Sequence, residues 1–167
     1  MSNVKIVYED DFIIVANKPS GLLTVPSPKK EKYTLSSLLK AYPAHRLDRD
    51  TSGLIILAKN KTARDFLMGE FKRRQVKKRY IAFVQGKLSK AKGVITGYLR
   101  DNPFQKPKLA RSEYKVLESK EGFSVVEVVP VTGRTNQIRI QFKQIGHPLV
   151  GERRFAFAKD FKVKFRR

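Results

Sequence analysis

The sequence predicts a single α+β domain with a mainly antiparallel sheet. Runs of strand length outnumber helical patterns, hairpin-type connections recur, and no regular βαβ alternation appears. A chain of 167 residues has the size of one domain, so a second independent core is not expected. With 41% hydrophobic against 31% charged residues, it can bury a sizeable core, which excludes global disorder and collagen-like classes.

The elements follow in order. Residues 4–8 and 12–16 flank an acidic turn at Glu9, Asp10 and Asp11, the pattern of a hairpin or of two neighbouring strands. Asn17-Lys18-Pro19-Ser20-Gly21 is a turn cluster, and residues 26–32 form a polar loop rich in Pro, Ser and Lys. Thr34 caps a short helix running through Tyr42, with Leu35, Leu38 and Leu39 on one face and Pro43 ending it. The uninterrupted apolar run 54–58 reads as a buried strand. From 61 to about 73, Ala63, Phe66, Leu67 and Phe71 follow the helical period, with Asn60 as the cap.

Residues 80–84 form a strand stopped at Gly86, and 94–99 form another. Strands 112–117 and 123–131 make a hairpin across the turn 118–122. Thr132-Gly133-Arg134-Thr135 opens a helix carrying Ile138, Ile140, Phe142 and Ile145, closed by Gly146. Finally, Phe161, Val163 and Phe165 alternate with Lys162, Lys164 and Arg166, a strand with one basic face.

Charge is the outlier: 36 Lys and Arg against 15 Asp and Glu leave a net +21. So high a charge repels itself in a compact state and calls for a polyanionic partner, with nucleic acid the leading candidate. The absence of cysteine excludes disulfides, thiolate nucleophiles and Cys-ligated metal, and two histidines are too few for most His-rich metal sites. No apolar run approaches the roughly 20 residues that span a bilayer, and residues 1–11 carry acids where a signal peptide would be apolar. A soluble, cytoplasmic protein is expected. The segment 71–80 (FKRRQVKKRY) is the densest positive cluster, either a solvated helix end or a phosphate-contacting surface through residues such as Lys77 and Lys78.

Two segments concentrate chemistry. His45-Arg46-Leu47-Asp48-Arg49-Asp50-Thr51-Ser52-Gly53 stands immediately before the apolar strand, where core elements position a loop well. Asp48, beside Arg46 and Arg49, suits a nucleophilic or basic carboxylate; the alternative is a surface ion cluster with Asp48 or Asp50 as a cap. In Gly133-Arg134-Thr135-Asn136-Gln137-Ile138-Arg139, the helix start is either a capping turn or an anion site. Arg134 and Arg139 are five apart and do not share a helical face. They should serve different partners, one RNA and the other a buried carboxylate. Tyr80 follows Lys77, Lys78 and Arg79 at a strand start, a common place for a core or rim tyrosine.

These residues carry a resemblance. HRLDRDTSG, residues 45–53, is similar to the signature of the RluA-type family of RNA pseudouridine synthases. The likeness extends over nearly the whole chain. It includes Asn17 to Gly21, Lys78-Arg79-Tyr80-Ile81-Ala82 with Val84 and Gly86, Thr132 to Thr135 with Gln137-Ile138-Arg139, and Gly146-His147-Pro148-Leu149-Val150-Gly151-Glu152. Motifs in this order at family-like separations make chance agreement improbable.

The resemblance implies a single catalytic domain, 1–167, with a curved, largely antiparallel sheet, flanking helices and a basic active-site cleft. It implies isomerisation of uridine to pseudouridine in a structured RNA, a ribosomal or transfer RNA loop, with no cofactor and no metal. Asp48 takes the place of the aspartate that starts glycosidic-bond cleavage, by attack at C1′ or by elimination. Arg139 matches the arginine that pairs with it, and Tyr80 the tyrosine that stacks on the base. Arg46 suits the space a flipped uridine vacates. Lys18 would shape the pocket or touch phosphate; Leu149 would wall the base or simply pack in the core; His147 is a turn residue. Arg49, Lys77, Lys78 and Arg134 complete the expected RNA contacts.

Asn136 and Gln141 stand where the family commonly has histidine, which puts phosphate contacts or local packing in question more than chemistry. No S4-type RNA-binding domain precedes the motifs, so affinity is expected from the catalytic domain itself, acting as a monomer without an obligate protein partner. Two other classes share the fold or the charge: a non-catalytic RNA-binding protein or chaperone, and a basic ribosome-associated structural protein. Binding alone demands none of Asp48, Tyr80 and Arg139, and a long disordered basic tail is missing.

Overall fold

The alternation of apolar and polar residues in the first third of the chain builds a sheet with one buried face. In this computed structural model, which describes residues 4–27, 31–101, 104–153 and 155, the chain divides into two units, Met1–Val76 and Lys77–Arg167. The first unit contains β1 (Lys5–Glu9), β2 (Ile13–Lys18), α1 (Leu35–Leu39), β3 (Tyr42–Pro43), β4 (Gly53–Ala58) and α2 (Lys61–Lys72). Its strands lie in the order β1-β2-β4-β3, all antiparallel. The β1–β2 turn is closed by Asp10, whose Oδ1 accepts from the backbone N–H of Phe12 at 2.8 Å and of Ile13 at 2.7 Å. Both hydrogen bonds favour the ionised carboxylate and hold Asp10 below its ordinary range.

Two elements differ from expectation. Helix α1 does not reach Tyr42: Thr34 caps it with Ser37 in a capping box, but Lys40 turns left-handed at φ 49° and ends it. Tyr42 precedes a proline and is driven into extended backbone, so Tyr42–Pro43 pairs with β4 instead. Strand β4 is not buried throughout. Ile55, Leu57 and Ala58 are, while Leu54 is 62% exposed. Helix α2 begins, as expected, at an Asn60 cap that accepts from the Ala63 N–H, and it buries Leu67 while leaving Phe66 outside.

The second unit contains β5 (Tyr80–Gln85), β6 (Lys92–Leu99), β7 (Lys108–Lys120), β8 (Phe123–Pro130) and α3 (Gln137–Gln144). The strands lie in the order β5-β8-β7-β6, again antiparallel. Ala82, Val84, Leu88, Ile95, Val126, Val128 and Phe142 form its core. The β7–β8 turn is tighter than the five residues expected, because Glu118, Ser119 and Lys120 pair with Val125, Ser124 and Phe123. Only Glu121 and Gly122 remain between the strands, with Gly122 at φ 81°. Residues 148–150 add to the edge of β5: Gln85 N–H donates to Pro148 O and Val150 N–H to Phe83 O, each at 2.8 Å, around a Val84–Leu149 bridge.

The α+β class with antiparallel pairing is therefore as expected, delivered as two four-stranded sheets rather than one. The strand expected at 161–165 lies outside the described residues.

Candidate active site

Asp48 sits half-buried in the loop between β3 and β4, and the loop is fastened on both sides of it. Buried Thr24 donates from Oγ1 to Leu47 O at 3.0 Å and accepts from Leu47 N–H at 3.2 Å. On the other side, Gly21 N–H donates to Arg49 O at 2.9 Å, Arg49 Nε to Gly21 O at 3.1 Å, and Ser20 Oγ to Asp50 O at 2.9 Å. Asp48 O closes a turn by accepting from Thr51 N–H. At the loop's start, His45 Nε2 accepts from the Ile56 N–H at 3.2 Å, and its ring lies 4.4 Å from that of Phe71. The motif of residues 17–21 thus serves as a cradle for the motif of residues 45–53.

Lys18 joins the two. Its side chain continues the inward-facing series Ile14, Ala16, Lys18 along β2 and is fully buried. Nζ donates to Pro19 O at 3.0 Å, Leu22 O at 2.7 Å and Arg49 O at 3.0 Å. An ammonium has three N–H bonds, and three carbonyls take them. Burial lowers its pKa, while the charges of Asp50 and Asp48 push the other way. All three donors thus go to carbonyls of the loops that flank it. Arg46 and Arg49 are exposed on either side of Asp48.

The second unit holds Arg139, on α3. Nε donates to Glu152 Oε2 at 2.6 Å, Nη2 to Glu152 Oε1 at 2.9 Å, and Nη1 to Asn136 Oδ1 at 2.6 Å. The Glu152 side chain is 3% exposed, so this forked pair is largely withdrawn from water. The guanidinium also lies 5.0 Å from the Phe155 ring centroid. Glu152, which the sequence does not single out as a partner, is thus a buried carboxylate bound to Arg139. Arg134 lies outside the helix, which starts later than Thr132, and donates from Nε to Leu109 O.

A buried polar network fixes α3. Gln141 Nε2 donates to Ile95 O and Ala110 O, both at 3.1 Å, while its Oε1 accepts from Ser112 Oγ at 2.6 Å. Gln137 donates to Ser112 Oγ and Arg111 O and accepts from Thr132 Oγ1 and Arg134 N–H. Gln141, one of the two departures from the family pattern, thereby ties the helix to β6 and β7.

Tyr80 and Leu149 both pack against the core cluster that includes Phe142 of α3, as does Ile138. Leu149 is partly buried there. Lys78 Nζ lies beside Gly133, where an added Cβ would stand 3.3 Å from it, while Lys77 is exposed. His147 is a turn residue, with Nδ1 2.9 Å from Gln85 O. Lys18, Arg46, Asp48 and Arg49 fall in the first unit, and Lys77, Lys78, Tyr80, Arg134, Arg139 and Leu149 in the second. Sequence reasoning missed the roles of Thr24, Gln137 and Glu152. Glu152 ends the quoted segment 146–152, so its motif was visible while its partner was not. Among the described residues no group of His, Asp and Glu could hold a metal, and no helix is long and apolar enough to cross a membrane.

The profile of a family described as RNA pseudouridylate synthase matches residues 12–144, which include both the Asp48 loop and Arg139. This chain belongs to the RNA pseudouridylate synthase family. It is accordingly an isomerase that converts uridine to pseudouridine in RNA. The Dual-specificity RNA pseudouridine synthase RluA of Escherichia coli (strain K12) is 38% identical over 167 residues, 90% of this chain and 76% of that one. Its namesake in Haemophilus ducreyi (strain 35000HP / ATCC 700724) is 39% identical over 170 residues, with the same coverage. Among solved structures, Human RNA Pseudouridylate Synthase Domain Containing 1 superposes with a TM-score of 0.80 at 27% identity, covering 95% of this chain and 71% of that one.

Proposed function

We propose that this synthase acts on a uridine in a loop of a structured ribosomal or transfer RNA, with Asp48 starting cleavage of the N1–C1′ bond. The observation that carries this reading is the cradle: six hydrogen bonds between residues 18–24 and residues 47–50 hold the loop on both sides of Asp48. Such fixation is what a carboxylate needs to meet C1′ or an adjacent proton in one orientation. Cleavage at N1 and reattachment at C5 break one glycosidic bond and form another. The hydrogen on C5 leaves to solvent, and N1 takes up a proton.

In this scheme Arg139 is the arginine that pairs with Asp48 and orients it, and Tyr80 stacks on the base. The target uridine leaves its stack, and Arg46 fills the space it vacates, where a guanidinium plane can stack. Arg49, Lys77, Lys78 and Arg134 contact phosphates, supported by the net charge of +21. Leu149 contributes an apolar wall. Residues of both units act as one catalytic domain, without a cofactor, as a monomer in the cytoplasm.

The test is tritium release from RNA labelled at uracil C5, using ribosomal and transfer RNA that lack the modification, with wild type beside Asp48→Asn. Release by wild type alone supports the assignment. Full release by Asp48→Asn removes Asp48 from its role, and no release by either protein while binding is intact points to a substrate outside those pools.

A further inference from the structure

We propose that Asn136 is a positioning residue, which aims the Arg139 guanidinium at the cost of the ordinary start of its own helix. The inference rests on Arg139 acting in the reaction, as proposed above. An asparagine at an N-cap normally has extended backbone and accepts from an N–H of the first helical turn. Asn136 does neither. Its φ is 54° and ψ 25°, and its side chain makes no capping hydrogen bond. Its Oδ1 instead accepts from Arg139 Nη1 at 2.6 Å, three residues along.

The left-handed conformation is uncommon for residues with a side chain, and asparagine is among those that tolerate it best. Glycine would occupy the same backbone more readily still. A residue chosen only for the turn would be glycine, and one chosen only for the cap would have extended backbone. Asparagine in the left-handed region, bonded to the arginine, fits a third demand.

Glu152 holds Nε and Nη2 of the guanidinium from one direction. The Asn136 bond to Nη1 fixes the remaining corner of the fork. Gln137, the next residue, is anchored by Thr132, Ser112 and Arg111, so the base of this clamp is itself immobile.

Substitution by glycine separates this role from a merely structural one, because backbone strain and guanidinium geometry then move in opposite directions. Asn136→Gly should keep or raise Tm while slowing single-turnover pseudouridine formation about tenfold, with RNA affinity kept within about threefold. Asn136→Asp, which tolerates the same backbone and keeps an oxygen acceptor, should restore most of the rate.

A rate for Asn136→Gly within twofold of wild type would overturn the proposal. So would a fall in Tm, a matching loss of RNA affinity, or an Asn136→Asp variant as slow as the glycine one. Arg139→Ala serves as the reference: if it keeps the wild-type rate, the role of Arg139 itself fails. If Arg139→Ala is slow and Asn136→Gly is normal, only the positioning role falls.

Discussion

The two regions that carry the functional side chains are stabilised by different kinds of partner. Around Asp48 the acceptors are mostly backbone carbonyls, of Pro19, Leu22, Arg49, Leu47, Gly21 and Asp50. Around Arg139 they are mostly side chains, of Glu152 and Asn136, with Gln137, Gln141 and Ser112 behind them. A carbonyl cannot be mutated away, so the loop depends on a few donors that must each be right. A side-chain network has more replaceable members, and each position can be traded against its neighbours.

The largest effect should come from the donor that serves the most acceptors. Lys18→Met removes a buried ammonium and the donor shared by Pro19 O, Leu22 O and Arg49 O, of which Arg49 O keeps the Gly21 N–H, and should cost about 3 kcal/mol or more in urea unfolding. A loss below about 1 kcal/mol would show that water or a shift of the loop replaces the lysine. On the other side of the comparison, Gln141→Leu takes the side-chain donor from Ile95 O and Ala110 O and the acceptor from Ser112 Oγ, which keeps its bond from Gln137, and should cost about 2 kcal/mol by the same measurement. If it costs more than Lys18→Met, the contrast between the regions is reversed.

Thr24→Val, nearly isosteric, deletes both bonds to Leu47 and should cost about 1–2 kcal/mol while slowing turnover through the Asp48 loop. Unchanged turnover would show that the outer bonds at Gly21 and Ser20 suffice. Lys77→Ala with Lys78→Ala removes two of the cations proposed to meet phosphate. Stability should stay within about 0.5 kcal/mol, and the salt dependence of RNA binding should flatten by about 1–2 in slope. An unchanged slope would show that neither lysine meets a phosphate.

The smallest effect belongs to Asp10 in the β1–β2 turn. Its folded pKa is depressed, so its contribution is present above the ordinary carboxylate range and is lost as pH falls through the depressed value. Asp10→Ala should therefore lower Tm slightly at neutral pH, and the difference should vanish in strong acid.

Much of this was legible because it is local. The β1–β2 hairpin, the Asn60 cap and the position of Gly146 at φ 84° follow from neighbouring residues. The ordered motifs identified the family. Partners distant in sequence were not legible: Arg139 meets Glu152 thirteen residues away, across a turn and a strand edge that no periodicity describes.

The inward face of α3 misled for another reason. Ile138, Ile140, Phe142 and Ile145 suggest an apolar stripe, yet Gln137, Gln141 and Phe142 are the buried residues and Ile145 is 40% exposed. Two glutamines can be interior because β6 and β7 offer carbonyls and a hydroxyl at their ends. Lys18, by contrast, was within reach. Extending the alternation of Ile14 and Ala16 by one more step turns it inward.

The segment that supplies Glu152 also lies along β5, where Pro148 and Val150 occupy the outward backbone groups of Phe83 and Gln85. Without it, an edge strand carrying exposed Ile81 and Phe83 would present unpaired N–H and C=O groups to other molecules. A chain cut before Pro148 would thus lose the arginine's carboxylate and gain a template for self-association in one step.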